Sequence, residues 1–458
     1  MKHLALIMII ILPMLAFSQH DMSPLSPLSY SWKLVGNNGE VTFRGAYPSI
    51  AFGPDSLAYV GFLSETPNGG AALSKFDGNN WISLISGDFS PYSNVYNILR
   101  FSPVDSLPYM AFIDGWTKVT VLKYNGSGWS VVGSESFTPG EAGYLSFDFN
   151  HIDGKPYVSF RDESQSGKAS VMKFNGTNWV NVGNAGFSSA PVTFTSIAFD
   201  ATGIPYVAFS TGDSANAAVM RYTSIGWTSV GSYLISPGWA YYLSLTFTSA
   251  GQPYVAYCDE IDKYDGKLSV QTFDGTSWNY VGSRWFSHSD SYYMNLRYSP
   301  LGDLYVSFSD MDYWCPSVMK YNGSDWVQVG STCIYNEGRY TSLAFSPTGA
   351  PYITFQNSLN VENVKVLKYD SVLVGTNQVK MQAINIYPNP AIDKIIVDAP
   401  ADWQNTTVSI INLYADEVVR YKLQGGRTGI SISSLPRAVY FIKIAGEKGE
   451  RVFRIVKQ

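Results

Sequence analysis

The sequence predicts an all-β protein: a seven-bladed β-propeller of four-stranded blades, followed by a small C-terminal β-sandwich of immunoglobulin-like type. Three observations predict this architecture. Aromatic residues make up 15% of the chain, which is typical of proteins whose strands carry aromatic and β-branched side chains. Tryptophan recurs at a nearly constant period, and the same short phrases return in the same order between these tryptophans.

The tryptophan period defines the repeat. Tryptophan occurs at spacings of 48 to 51 residues, as Trp32, Trp81, Trp129, Trp179, Trp227, Trp278 and Trp326. Most of these residues open a W-x-x-V-G phrase, as in Trp32 to Gly36, and a degenerate copy without tryptophan lies at residues 371–375. A unit of about fifty residues with four antiparallel strands matches the period of a propeller blade.

Three further phrases lie between successive tryptophans. They read S-[IL]-x-F, P-Y-V-x-F and V-[ML]-K-[FY]-[ND]-G, for example at residues 49–52, 156–160 and 121–126. Each alternates with period two between turn residues, so the phrases predict strands A, B and C, with the tryptophan phrase as strand D. One D strand precedes the first A strand. We therefore expect residues 32–36 to complete the last blade, the alternative being closure through residues 371–375 alone.

Residues 1–18 are predicted to be a cleaved signal peptide. Lys2 and His3 precede an apolar run from Leu4 to Phe17, and small residues stand at positions 16 and 18. The run of 14 residues is shorter than the ~20 that a membrane-spanning helix needs. We expect the mature chain to begin at Gln19, the alternative being a membrane anchor.

Charge and cysteine content exclude several classes of function. The net charge is −5 and only 15% of residues are charged, so we expect no nucleic-acid partner. Four histidines and three cysteines, with no C-x-x-C pair, predict no metal site and no cofactor. If Tyr321 faces Trp326 across strands C and D of the sixth blade, the numbers of facing residues sum to 647. The numbers of Cys315 and Cys333 sum to 648, so these residues are within one position of facing each other. These two cysteines are thus predicted to form a disulfide, the alternative being that they are unrelated.

The composition changes after a polar link at residues 376–383, which separates the propeller (residues 19–375) from residues 384–458. Ile386 to Pro390 read I-Y-P-N-P, and V-S-I-I-N-L-Y (408–414), L-P (435–436), V-Y-F-I (439–442) and R-I-V-K (454–457) follow in order. These phrases resemble the type A C-terminal sorting domains of the type IX secretion system. The resemblance implies a translocon partner and export, through the periplasm, to the outer-membrane surface or the extracellular space. The residues alone leave open a carbohydrate-binding sandwich.

The strand order places the long, divergent B-to-C and D-to-A loops on one face of the propeller, which we call the variable face. Acids recur there five positions after the strand-B tyrosine, and large aromatics crowd the same loops. The candidate ligand-binding residues are Trp116, Asp162, Glu163, Trp239, Tyr242, Asp259, Trp285, Tyr293, Asp310 and Trp314. Flat rings stack on sugars and carboxylates accept sugar hydroxyls, whereas Tyr and Trp also dominate protein interfaces. The alternative is that these acids cap turns and these rings pack on the blades.

These features predict a secreted or surface-attached monomer that binds a glycan or a protein. A structural adhesin without a small-molecule site remains an alternative. So does a sialidase-like extracellular glycoside hydrolase, with carboxylates such as Asp162, Glu163, Asp259 or Glu260 as acid and base, ~5 to ~9.5 Å apart near the channel. No catalytic residue is assigned, because residues 274–278 resemble an Asp box but place the aspartate one residue too close to the tryptophan.

Overall fold

The computed structural model describes residues 29–36, 40–64, 69–86, 95–115, 117–260, 266–357, 363–372, 384–399, 403, 406–412, 416–423, 426–446 and 449–458. The chain divides into two compact units, residues 1–374 and 375–458. The described residues form 35 strands and a short 3-10 turn at Glu163–Gln165, so the all-β prediction is confirmed. The predicted signal peptide, the polar link and Trp116 lie outside the described residues.

Seven four-stranded antiparallel blades form the larger unit, as predicted. Blades 1 and 2 consist of β2 (Glu40–Phe52), β3 (Ala58–Ser64), β4 (Gly70–Phe76) and β5 (Trp81–Ser86), then β6 (Val95–Phe101), β7 (Pro108–Ile113), β8 (Val119–Tyr124) and β9 (Trp129–Val131). Blades 3 and 4 consist of β10 (Ala142–Phe149), β11 (Pro156–Asp162), β12 (Lys168–Phe174) and β13 (Trp179–Asn181), then β14 (Val192–Phe199), β15 (Pro205–Thr211), β16 (Asn216–Thr223) and β17 (Gly226–Ser229). Blades 5 and 6 consist of β18 (Trp239–Phe247), β19 (Pro253–Glu260), β20 (Lys267–Phe273) and β21 (Trp278–Tyr280), then β22 (Ser291–Tyr298), β23 (Leu304–Asp310), β24 (Cys315–Tyr321) and β25 (Trp326–Gln328).

The first described strand completes the seventh blade. Strands A to C of this blade are β26 (Arg339–Phe345), β27 (Pro351–Asn357) and β28 (Asn363–Val372), and strand D is β1 (Ser29–Leu34). β1 pairs with β28 in antiparallel register, with Trp32 opposite Tyr369. The first D strand therefore closes the ring and covers an edge that would otherwise be open to other chains.

The W-x-x-V-G phrase joins each blade to the one before it. In six blades the tryptophan donates its indole N–H to the valine carbonyl of the preceding blade at 2.7–2.9 Å. The pairs are Trp32 to Val329, Trp81 to Val35, Trp179 to Val132, Trp227 to Val182, Trp278 to Val230 and Trp326 to Val281. Trp129 instead donates to Ala71 at 3.0 Å, because β5 of the preceding blade contains no V-G pair. The phrase thus encodes contacts between blades as well as a strand.

The core of the propeller lies between the blades. The phenylalanine of the strand-B phrase is fully buried in five of them, as Phe112, Phe160, Phe209, Phe308 and Phe355. On the face opposite the variable face, the strand-C lysine of four blades pairs with an aspartate of the A-to-B turn, for example Lys75 with Asp55 at 2.8 Å. The charges of these lysines are therefore compensated by neighbouring acids.

A disulfide joins Cys315 and Cys333 in blade 6, with Cα atoms 5.5 Å apart. Tyr321 faces Trp326 in the register expected from the sequence. β25 ends at Gln328, so the loop that follows it brings Cys333 to Cys315. Cys258 is a buried free thiol.

The C-terminal unit consists of two facing sheets. One contains β29 (Asn385–Tyr387), β30 (Lys394–Ala399) and β33 (Gly426–Ser431), and the other β31 (Thr407–Ile411), β32 (Glu417–Lys422), β34 (Val439–Gly446) and β35 (Gly449–Val456). Ile395, Val408 and Ile442 lie in the core of this unit. Asn389 of the Y-P-N-P phrase accepts a hydrogen bond from Val456 N and donates one to Arg454 O. The phrase thereby fastens the start of the unit to its last strand.

Candidate functional site

A closed ring of seven aromatic side chains surrounds the central channel, with one ring from strand A of each blade. We call it the channel ring; its members are Tyr47, Tyr96, Tyr144, Phe194, Tyr242, Tyr293 and Tyr340. Each aromatic group contacts the next, with centroids 4.3–6.4 Å apart around the whole circle. Because strand A begins at the variable face, the channel ring lies at the centre of that face.

A bulge in strand A turns each of these side chains into the channel. The pairing with strand B shifts register at this point, for example between Ala46 and Ser49 in blade 1 and between Tyr241 and Ser244 in blade 5. All seven aromatics have φ between 50° and 58°, a left-handed conformation that is costly for a residue with a side chain. Backbone strain of this kind is frequent at ligand sites, and here it recurs in every blade.

A ladder of polar side chains lies below the channel ring and links neighbouring A strands. In six blades the residue two places after the aromatic accepts a hydrogen bond from a backbone N–H of the next blade. The pairs are Ser49 from Leu99, Ser146 from Ile197, Ser196 from Leu245, Ser244 from Leu296, Asn295 from Leu343 and Ser342 from Ile50. In blade 2 this place is taken by Ile98, which offers no acceptor. The serine of the strand-A phrase therefore holds the inner wall together.

Two cavities occupy the channel and share part of the channel ring as lining. One, of about 480 Å³, lies against all seven aromatics. The other, of about 240 Å³, extends past the serine ladder to Arg100, Asp148 and Arg297. Burial raises the pKa of Tyr96 to about 12 and that of Tyr293 to about 12, so these hydroxyl groups stay neutral at physiological pH.

Three exposed tryptophans lie on the variable face in blades 5 and 6. Trp239, Trp285 and Trp314 are 36%, 40% and 41% exposed, and with Tyr313 we call them the rim patch. Arg284 lies over the Trp285 ring at 4.0 Å, and Arg339 over the Trp314 ring at 4.1 Å. The Trp285 indole also donates to Asp259 O at 3.0 Å. Large exposed apolar rings held in fixed orientations are typical of binding surfaces.

The predicted strand-B acids lie below the surface. Asp162, Asp259 and Asp310 are at most 1% exposed, so their carboxylates contact loops instead of solvent. Asp162 accepts from Ser164 and Ser170, Asp259 from Ser269 and both Nε and Nη2 of Arg284, and Asp310 from the backbone of Asp312 and Tyr313. Backbone N–H groups of the following turn hold Asp162 and Asp310, whereas Asp259 is held by a strand-C serine and the Arg284 guanidinium.

The remaining candidates divide between the surface and the channel. Glu163 is exposed beside Arg161, with which it forms an ion pair, whereas Tyr242 and Tyr293 belong to the channel ring. Sequence reasoning missed the other five members of that ring. Their signal was present, since each aromatic stands two residues before the strand-A serine or its equivalent, at spacings of 47 to 51 residues.

The described part of the channel does not contain the pair of carboxylates that a glycoside hydrolase requires. Asp148 is the single carboxylate among the described residues that line the smaller cavity. At the rim, burial raises the pKa of Glu260, and the nearby Asp290 raises it further.

Within the described ranges, no group of three or more His, Cys, Asp or Glu side chains is arranged to hold a metal ion. Nor do they contain a helix with the length and apolar character needed to cross a membrane.

Solved structures resemble this chain in fold. A polysaccharide lyase, an ulvan lyase bound to -[GlcA(1-4)Rha3S]-, aligns with a TM-score of 0.51 and 12% identity over 72% of this chain and 94% of the lyase. PorZ, a surface component of the type IX secretion system of Porphyromonas gingivalis, aligns with a TM-score of 0.47 and 12% identity over 93% of this chain. This chain spans only 60% of the length of PorZ. The SapL1 lectin, solved with α-methyl fucoside, gives a TM-score of 0.43 and 14% identity over 64% of this chain and 98% of the lectin.

The sequence comparisons identify the C-terminal unit. No curated protein sequence matches the chain. Residues 385–458 match the family model described as a secretion system C-terminal sorting domain, which confirms the resemblance carried by the Y-P-N-P phrase and the phrases after it. The chain is therefore a β-propeller protein with a type IX secretion sorting domain, and it is exported to the cell surface or the extracellular space.

Proposed function

We propose that this exported propeller is a carbohydrate-binding protein whose ligand lies on the variable face, against the rim patch of blades 5 and 6. The observation that carries the proposal is the placement of the exposed tryptophans. Seven others stand in D strands and Trp403 is buried, so every exposed tryptophan of the described residues belongs to this one patch. Their rings offer flat apolar surfaces on which the C–H faces of a sugar can stack.

The surroundings of these rings favour a sugar. Arg284 and Arg339 lie over the tryptophan rings and place guanidinium N–H groups beside them. A sugar-binding site combines such apolar faces with a few polar groups that fix orientation. The channel ring extends the same aromatic surface toward the propeller axis.

A glycan array probed with the full chain tests the proposal. We expect binding to a restricted set of glycans, and a loss of roughly 30-fold in affinity, about 2 kcal/mol, in Trp239→Ala or Trp314→Ala. Tyr421→Ala, which removes an exposed aromatic from the C-terminal unit, serves as the matched control. Absence of any glycan ligand, or equal affinity in all variants, contradicts the proposal; capture of a protein by the rim patch would replace it.

A glycoside hydrolase is the second candidate, and one observation favours it. The raised pKa of Glu260 suits a general acid, and Trp239 stands opposite Glu260 in the strand pairing. Release of reducing sugar from an array ligand, abolished in Glu260→Gln, supports this function. Intact ligand after prolonged incubation with the wild-type protein rules it out for that glycan.

A further inference from the structure

A cluster of three charged side chains lies inside the channel, beyond the serine ladder. Arg100, Asp148 and Arg297 each stand four residues after the channel-ring aromatic of their blade, and all three line the 240 Å³ cavity. The four other blades have small uncharged residues at this place: Ala51, Ala198, Thr246 and Ala344. The charges therefore interrupt a repeat that is otherwise neutral here.

The positive charges of this cluster are not balanced. Arg100 Nε and Asp148 Oδ1 are 3.6 Å apart, so the single carboxylate neutralises one guanidinium at most. Arg297 comes from blade 6, three blades away from Asp148. Burial lowers the pKa of Arg297, and the charge of Arg100 lowers it further, whereas Asp148 raises it. Because a guanidinium keeps its proton in proteins, the described lining of this cavity carries one more positive than negative charge.

Hydrogen-bond donors of the cluster also lack partners. Arg297 makes one hydrogen bond within the described residues, from Nε to Asn295 Oδ1 at 3.2 Å. Arg100 donates from Nη1 to Leu99 O, while its buried Nε makes no hydrogen bond to a described group, because the Asp148 carboxylate lies 3.6 Å away. Unpaired donors and an unpaired charge in a recess are costly, and an anion in the adjoining cavity would compensate both.

We propose that the channel binds a small monoanionic carboxylate between Arg100 and Arg297. A carboxylate supplies the single negative charge that the cluster lacks, and its two oxygens match the planar fork of a guanidinium. Asp148 positions Arg100 and disfavours ligands of higher negative charge. This site is separate from the rim patch, so an experiment that disproves carbohydrate binding at the rim patch does not disprove carboxylate binding in the channel.

Titration calorimetry of the full chain at low ionic strength tests the site. The probes are acetate, lactate and glucuronate, each compared with an uncharged partner: acetamide, lactamide and glucose. We expect at least one carboxylate to bind, and its affinity to fall tenfold or more in Arg297→Gln. Arg221→Gln, which removes the same charge from an exposed position, retains the wild-type affinity.

Thermal unfolding gives a second readout that needs no binding heat. Arg297→Gln is expected to raise the melting temperature of the ligand-free protein, because it removes an uncompensated charge, and to abolish the rise that the carboxylate causes in the wild type. The proposal is overturned if no carboxylate binds better than its uncharged partner, if sulfate binds and carboxylates do not, or if Arg297→Gln and Arg221→Gln behave alike.

Discussion

Single residues of the repeat serve contacts in the next blade as well as in their own. Gly330 closes the W-x-x-V-G phrase of blade 6 with φ +80°, and a Cβ atom there would lie 2.8 Å from Cδ1 of Trp32. The glycine is therefore required twice, once for its backbone conformation and once for the tryptophan that packs on it. Gly323 in the same blade has φ +98° but open space around it.

This pair of glycines gives a matched prediction. Both Gly→Ala changes incur the left-handed penalty of roughly 1–2 kcal/mol. Gly330→Ala should cost about 1–3 kcal/mol more than Gly323→Ala, because the new methyl group overpacks against Trp32. Denaturant unfolding of the two variants measures the difference, and equal stabilities contradict the packing role of the phrase.

The acids of the A-to-B turns predict a dependence of stability on pH. Burial would raise the pKa of Asp55, but hydrogen bonds from Lys75 and Tyr59 lower it below its ordinary value of 3.8, and Asp105 is held in the same way by Lys123. A lowered pKa in the folded state stabilises the protein above the unfolded pKa, and this contribution is lost as the pH falls through the folded pKa.

The double variant Asp55→Asn/Asp105→Asn should therefore be less stable than the wild type at pH 6, with a difference that shrinks toward pH 2. Melting temperatures across this range provide the measurement, and Asp213→Asn, at an exposed loop position, provides the control. A difference that stays constant with pH argues against these ion pairs.

Whole strands can be predicted from the sequence where a repeated phrase depends only on local chemistry. The alternating phrases predicted the strands and the number of blades, because period two and turn residues depend on local chemistry. The channel ring escaped prediction because its side chains enter the channel only through a bulge, and a bulge depends on pairing with strand B. The same limit applies to Asp162 and Asp259, whose burial depends on loops from other parts of their blades.

Removal of strand β1 tests the contribution of a whole element to stability. A chain beginning at residue 37 lacks β1 and loses the packing of the half-buried Trp32, along with its hydrogen bond to Val329. The loss of packing costs less than the about 3–5 kcal/mol of a fully buried aromatic. We expect a clearly lower melting temperature than for a chain beginning at residue 29, which keeps the strand. Identical melting curves of the two chains would mean that the seventh blade closes without β1.

At the scale of the whole molecule, the sorting domain determines where the protein goes. Asn389 joins the Y-P-N-P phrase to Arg454 and Val456 at the other end of the unit, so both ends of the matched region are needed for its fold. We expect removal of residues 384–458 to leave the propeller in the periplasm. Cell fractionation with the full chain as control tests this, and normal release of the truncated protein would refute the assignment of the export signal.

Because β1 closes the propeller, a full-length chain differs from a prematurely ended one in both its fold and its export signal. The partner of β1 is β28, near the end of the propeller, and the export signal follows only after β28. A chain that ends early therefore lacks the strand that would complete its last sheet and also the signal that would send it out. Because both depend on segments at the far end of the propeller or after it, the closed seventh blade and the export signal occur together only in a chain that extends past β28 to the sorting domain.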